Sequence, residues 1–288
     1  MRAIYKREFQ SYFRSMTGNV FVALLVVFTG IYFMAYNLNM GYPYFAYSLA
    51  GSLMVYLVAI PILTMRSFSE ERKNKTDQLL LTAPVSLFKV ILGKYLAMIS
   101  VLAIPMVIFC LFPLIIKMQG TAYLGIDYLS ILVFYLLGCV YVAIGMFISS
   151  LTESQIIASI STFGILLVLY LWNGILGFLP SSAIGGLIGI LLLFTVAVGY
   201  IYHMTGNVIL SGGLELLGIV AGVVTYLVKS SLFENLLTNC LSGLALTDVF
   251  SGIADNSILD VSGIVLYLSL IVIFFFLTVQ TFQKRRWS

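Results

Sequence analysis

The sequence predicts an all-α fold, a polytopic bundle of membrane-spanning helices. Hydrophobic residues make up 61% of the 288 residues and charged residues only 9%, against roughly 45–50% and about 25% in globular proteins. Since so few charges cannot cover a water-facing surface, the solvent of this chain is lipid. Its apolar runs are long and do not alternate, which favours helices over barrel strands. The net charge of +4 is too small to indicate nucleic-acid binding.

Eight apolar runs are long enough to cross a bilayer, which takes about 20 residues. They lie at about 19–39, 45–65, 95–116, 127–150, 156–178, 183–202, 207–228 and 262–282. The pair at 183–228 is the weakest, because Gly206, Gly212, Gly213 and Glu215 interrupt its second member. We therefore expect six spans plus this extra pair, in one membrane domain that covers residues 1–288.

The placement of charge predicts the orientation. If the N-terminus is cytoplasmic, only Lys117 and Lys229 of the 15 Lys and Arg residues face outwards. This distribution follows the positive-inside rule and puts both termini in the cytoplasm. The acidic residues expected on the outer side are Asp127, Glu234, Asp248, Asp255 and Asp260.

The first 17 residues are predicted to form an amphipathic helix in the inner membrane interface. Its apolar side chains recur at helical spacing and alternate with Lys and Arg: Ile4, Tyr5, Phe9, Tyr12, Phe13 and Met16. The apolar run that follows is too long for a cleavable signal and lacks an A-x-A site. The helix is either a simple anchor for the first span or a docking element for a cytoplasmic partner.

Residues 66–94 form the one substantial cytoplasmic loop. Thr76 can cap a short helix and Asp77 suits its first turn, while Pro84 ends it and Ser86 can cap the next helix. Leu79, Leu80 and Leu81 give this short helix an apolar face. Exposed leucines on a charged loop indicate either a protein contact or a place on the bilayer surface.

The outer segment 229–261 is too polar to span and too apolar for free solution. Its apolar residues have helical spacing, interrupted at Gly243 and Gly252. We expect short helices that lie in the outer leaflet.

Three stretches together resemble type-2 ABC transporter permeases, in the gliding-motility permease-like branch. They are Phe68-Ser-Glu-Glu-Arg-Lys73 with Gln78-Leu-Leu-Leu-Thr-Ala-Pro-Val-Ser86, then Ala143-Ile-Gly-Met-Phe-Ile-Ser-Ser-Leu-Thr-Glu-Ser-Gln155, and finally Phe276-Leu-Thr-Val-Gln280 with Lys284-Arg-Arg-Trp287. The chain departs from the family's usual six spans by its extra pair at 183–228.

The resemblance implies a membrane subunit of an exporter-like ABC complex in the plasma membrane. Its partners would be two copies of a separate ATPase that binds ATP and Mg²⁺, a second permease subunit, identical or related, and an extracytoplasmic auxiliary protein. In that family the N-terminal helix and the first loop touch the ATPase. The residues that this implies for docking are Glu70, Glu71, Arg72, Thr76, Gln78, Leu79, Leu80 and Leu81.

Residues for catalysis or for binding a cofactor are not evident in the sequence. A G-x-x-x-x-G-K-[ST] run for nucleotide phosphates is missing, the three cysteines lack metal-ligand spacing, and we expect no enzyme activity in this chain. Glu215 is the candidate intramembrane polar residue, unless Gly212 and Gly213 delay its helix and leave it near the interface. His203 is expected in a tight inner turn with Thr205-Gly-Asn207.

Small residues and prolines predict helix contacts and bends. Gly185-x-x-x-Gly189 and Gly218-x-x-x-Gly222 permit close helix approach, either within the extra pair or against another subunit. Pro61 and Pro105 can bend the second and third spans, although such prolines are often only tolerated.

Two other functional classes stay open. One is a membrane scaffold or regulatory subunit that anchors an extracytoplasmic protein and carries no substrate. The other, an ion-coupled secondary transporter, requires polar residues near the midplane, and the spans contain few.

Overall fold

The computed structural model describes residues 2–76, 86–256 and 261–287. Helices account for nearly all regular structure there, and no strand occurs within these three ranges. The all-α prediction is therefore confirmed. The helices are α1 (Arg2–Arg14), α2 (Thr17–Phe33), α3 (Ala46–Thr64), α4 (Ser69–Lys73), α5 (Leu87–Phe109), α6 (Phe112–Gln119), α7 (Leu124–Leu151), α8 (Gln155–Tyr170), α9 (Trp172–Gly177), α10 (Ala183–Thr205), α11 (Val208–Val228), α12 (Leu236–Ser242), α13 (Leu246–Asn256) and α14 (Val261–Trp287).

Six helical stretches in the described ranges are long and apolar enough to cross a membrane. They are Thr17–Asn39, Ala46–Lys73, Leu87–Gln119, Leu124–Leu151, Ser211–Val228 and Val261–Lys284. The apolar helices Gln155–Tyr170 and Ala183–Gly199 occupy two further predicted spans but are shorter. The chain is thus a multi-pass helical protein, and the count of eight spans stays a prediction.

The chain divides into two compact units. The first consists of Met1–Tyr170 and Leu246–Ser288, and the second of Leu171–Ala245. The second unit contains α9–α12 and so includes the predicted extra pair as α10 and α11.

Helix α7 forms the centre of the first unit. It packs against α3, α5, α8 and α14, and most of its side chains are buried. The Tyr56 ring of α3 stacks on Phe134 with 4.3 Å between centroids, and its hydroxyl donates to the Phe134 carbonyl at 3.1 Å. One end of the interface requires glycine, because a Cβ on Gly145 would stand 2.4 Å from Thr64 Oγ1. Close backbone approach therefore positions α3 against α7.

The connection between α2 and α3 is held together by one buried amide. Helix α2 continues into a π-helical turn, Met34–Asn39, which places Asn37 in the interior. Asn37 Nδ2 donates to the carbonyls of Tyr42 and Tyr44 at 2.8 and 3.0 Å, and Oδ1 accepts from Ser48 Oγ at 2.6 Å. All the hydrogen-bonding groups of this amide except one acceptor lone pair are therefore satisfied.

In the second unit, the two glycine motifs have different partners. A Cβ on Gly218 would meet the Phe194 ring at 2.2 Å, so this motif packs α11 against α10 as predicted for the extra pair. A Cβ on Gly185 would meet Pro180 at 2.4 Å, and one on Gly189 would meet Leu237 at 2.8 Å. The first motif therefore faces the preceding loop and α12 rather than α11.

The outer segment contains the short helices that its apolar spacing predicts. They are the single turn Ser230–Phe233 followed by α12 and α13. The predicted interruption at Gly243 is confirmed, since α12 ends at Ser242. The one at Gly252 is wrong, because α13 continues through Gly252 to Asn256. A glycine inside a helix lowers helix stability by only about 1 kcal/mol, which packing of the helix offsets.

Candidate functional site

A buried lysine lies where α1, α4 and α5 meet. Lys94 stands about two turns into α5 and is 3% exposed. Its Nζ donates to the Ser67 carbonyl at 2.9 Å and to Glu71 Oε1 at 2.8 Å, and it lies 3.2 Å from Glu8 Oε1. An ammonium group has three donors, and here each faces an acceptor. Burial of this cation is tolerated because two carboxylates and a carbonyl replace its water.

The two carboxylates come from separate elements that the sequence places on the inner side. Glu8 belongs to α1 and Glu71 to α4, so Lys94 joins the N-terminal helix to the start of the loop. The same ammonium lies 5.2 Å from the centre of the Phe68 ring, a distance at which cation and ring attract each other. We call Glu8, Ser67, Glu71 and Lys94 the Lys94 cluster.

Helix α1 packs its apolar side along α5. Tyr5 donates to Ser100 Oγ at 3.0 Å, and a Cβ on Gly93 would lie only 3.3 Å from Ile4. Burial raises the pKa of the Tyr12 hydroxyl well above its ordinary value, and the nearby Glu8 carboxylate raises it further. The predicted helix in the first 17 residues is confirmed, and part of its apolar face contacts protein.

Helix α4 is fixed to the end of α7 by serine and arginine. Ser149 Oγ accepts from the backbone N–H groups of Phe68 and Ser69, each at 3.2 Å, and donates to the Met65 carbonyl. Arg72 donates to the Ser150 carbonyl at 3.2 Å and pairs with Glu153 at 3.1 Å. These contacts join α4 directly to the last turn of α7.

A polar cleft of about 280 Å³ opens beside the Lys94 cluster. Arg7, Arg66, Glu70 and Asn74 contribute to its wall. Arg66 holds Glu70 through two hydrogen bonds of 2.9 and 3.2 Å. Oppositely charged side chains from α1 and from the 66–76 segment thus share one polar surface.

Four of the eight docking residues implied by the resemblance are described. Glu70, Glu71 and Thr76 line this cleft, whereas Arg72 contacts the end of α7. Glu70, Glu71 and Arg72 make the contacts given above. Thr76 Oγ1 donates to the Glu71 carbonyl at 3.2 Å and so satisfies an acceptor near the end of α4. Gln78, Leu79, Leu80 and Leu81, with the helix that Thr76 was expected to cap, lie outside the described residues. Helix α5 starts after Ser86 as predicted, but the Ser86 side chain makes no cap hydrogen bond, so the expected side-chain cap is wrong.

Several residues of this surface were missed by reasoning from the sequence. Glu8 is the one acidic residue among the first 17, and Lys94 is a cation inside an apolar helical run. An isolated opposite charge in each of two helices is a signal for pairing. The short helix α4 also had a signal, because Glu70 and Glu71 precede Arg72 and Lys73 and so suit the helix dipole.

The other polar candidates lie elsewhere, and one expectation about them is wrong. Helix α11 begins at Val208, so Gly212 and Gly213 do not delay it and Glu215 stands about two turns inside. Asp127 lies in the first turn of α7. It is fully buried and accepts from the Phe45 N–H at 2.7 Å, where it satisfies a donor at the start of α3. His203 lies in the last turn of α10, beside the turn at Gly206.

The comparisons with known proteins identify the family. The model of the family described as "ABC-2 family transporter protein" matches residues 50–287. Searches of the curated proteins and of the solved structures gave no match. The matched range covers most of the chain, including α4, α5, the α7–α8 turn and the second unit. The chain therefore belongs to the ABC-2 transporter family, as a multi-pass membrane permease subunit of an ABC transporter.

Proposed function

We propose that this permease subunit is the moving part of an exporter in the plasma membrane, driven by a separate ATPase that docks on α1 and residues 66–94. The observation that supports this most is the Lys94 cluster. Lys94 pairs with Glu8 of α1 and with Glu71 of α4. The two elements that the resemblance assigns to docking are thereby joined to each other and to α5.

The contacts of α4 suggest how force passes into the membrane. ATP and Mg²⁺ bind to two copies of the ATPase, which approach each other and move the docking surface. Ser149 and Arg72 connect α4 to α7, and Lys94 connects it to α5. Two permease subunits, identical or related, then change between inward-open and outward-open states. ATP favours one state because the closed ATPase dimer binds that state better.

The orientation and assignment follow from the charge pattern and the resemblance. Both termini are cytoplasmic in this proposal, with Lys117 and Lys229 as the outer basic residues. The chain is assigned to the gliding-motility permease-like branch on the three stretches quoted above. An extracytoplasmic auxiliary protein completes the complex on the side of residues 229–261.

The docking proposal is tested by co-expressing the tagged chain with its ABC ATPase. The triple variant Leu79→Asp, Leu80→Asp, Leu81→Asp should insert into the membrane and lose the ATPase on purification, because charges on an apolar contact prevent its burial. The control is Leu232→Asp, an exposed leucine of the outer segment, which should retain the ATPase. Full retention by the triple variant would show that the segment does not dock the ATPase.

A further inference from the structure

Helices α10 and α11 pack closely against each other at one position along the hairpin and are farther apart nearer to their connection. At the close position the Phe194 ring lies where a Cβ of Gly218 would be. About one and a half turns closer to the connecting Gly206, a Cβ on Gly199 or on Gly212 would meet nothing within 4 Å. The two helices therefore separate toward their connection and leave a cleft of about 340 Å³.

The lining of this cleft is mostly apolar with one carboxylate. Val198, Gly199, Tyr202, Ser211, Gly212 and Glu215 line it. The Ser211 hydroxyl donates to carbonyls of its own helix at 3.0 and 3.2 Å, so it offers little to a ligand. Glu215 is the one acidic residue in the lining and forms no ion pair with any described residue.

The side chains around Glu215 favour a cation with an apolar body. A carboxylate in an apolar, lipid-facing helix pair is costly unless a positive charge compensates it. Tyr202 is 48% exposed and lines the same cleft, and an aromatic ring attracts ammonium groups. Val198 is 4% exposed and forms an apolar floor.

We infer that the α10–α11 cleft binds a lipophilic amine, with its ammonium group at Glu215 and its hydrocarbon part along Val198 and the open glycine faces. An aminolipid headgroup and a free amphiphilic amine share this chemistry. This site goes beyond the ATPase-driven function proposed above and does not depend on it, since binding requires the permease chain alone.

The test measures saturable binding of a dansyl-labelled octylamine with a free primary amine to the full chain in phosphatidylcholine nanodiscs. Wild type should bind it and should not bind the matched dansyl octanol. Glu215→Gln should weaken binding at least tenfold. Phosphatidylethanolamine in the nanodisc should compete if the natural ligand is an aminolipid and should have no effect if it is a free amine; either result agrees with the proposal.

Neighbouring glycines supply a matched pair that does not alter the charge. Gly212→Leu fills the cleft, whereas Gly213→Leu adds the same side chain beside it, because Gly213 also has open space but does not line the cleft. The first variant should lose binding and the second should keep it, with equal thermal stability. Absence of binding to wild type, wild-type affinity in Glu215→Gln, or equal loss in both leucine variants would overturn the inference.

Discussion

Lys94 of α5 and Glu71 of α4 form a 2.8 Å ion pair. Both residues belong to the segment 66–94, which the sequence predicts to be a cytoplasmic loop. The lysine side chain is 3% exposed and the glutamate side chain 16%. The pair is shielded from water, so it differs from the Arg72–Glu153 pair, whose glutamate is 72% exposed. Exposed pairs contribute about 0–1 kcal/mol, whereas breaking a buried pair has a large effect because one charge is left uncompensated.

Replacement of the buried cation should strongly destabilise the protein. Lys94→Met leaves Glu8 and Glu71 without their shared partner, and we expect a loss of about 3–5 kcal/mol in the free energy of unfolding. Denaturant unfolding in detergent measures it, with the exposed Lys117→Met as control. Adding Glu71→Gln to Lys94→Met should cause less loss than the two single changes summed. Strict additivity would mean that the pair is not energetically coupled.

Two buried serines of α7 should respond differently to alanine. Ser149→Ala leaves the N–H groups of Phe68 and Ser69 without this acceptor, and we expect a loss of about 1–3 kcal/mol. Ser130→Ala removes only a hydroxyl that donates to the carbonyl of Ile126 in its own helix. Its effect should be below about 1 kcal/mol. Thermal unfolding of both purified variants checks this order, and equal effects would argue against the α4–α7 connection.

The contact of α3 with α7 should not tolerate a methyl group at Gly145. Gly145→Ala places Cβ against Thr64 and should cost about 1–3 kcal/mol through overpacking. Gly164→Ala in α8 has open space and should be neutral or stabilising by about 0.5–1 kcal/mol. Unfolding midpoints of the two variants give the comparison. A stable Gly145→Ala protein would show that the helices can separate at this level without loss.

The proposed orientation predicts which positions a membrane-impermeant thiol reagent reaches. With the native cysteines replaced, Lys75→Cys should react only from the cytoplasmic side and Lys117→Cys only from outside. Inside-out and right-side-out vesicles separate the two cases. Reaction of Lys75→Cys from outside would reverse the orientation and remove the docking surface from the ATPase.

Much of the fold could be predicted because it depends on local properties of the sequence. Long apolar runs specify spanning helices wherever they occur, and α1, α5 and the short outer helices follow from periodicity or turn residues. The end of α8 at Tyr170 was harder to locate. The apolar run continues past it to α9, and composition contains no signal for the break.

The site was less predictable because its contacts join distant parts of the chain. The charge pattern predicts that Glu8, Glu71 and Lys94 lie on one side of the membrane, but it does not tell which charges are buried together. Asp127 illustrates the same limit. The sequence shows an acidic residue near the end of an apolar run, and only the packing of α3 against α7 places it beside the Phe45 N–H.

The buried amide of Asn37 has a consequence for motion. Its hydrogen bonds join the π-helical turn to the start of α3, so the ends of α2 and α3 at this connection cannot slide apart without breaking them. Relative displacement of these two helices is thereby confined to their opposite ends, next to α1 and α4. The two helices are therefore fixed to each other at their connection and can move relative to each other only at the ends near the Lys94 cluster.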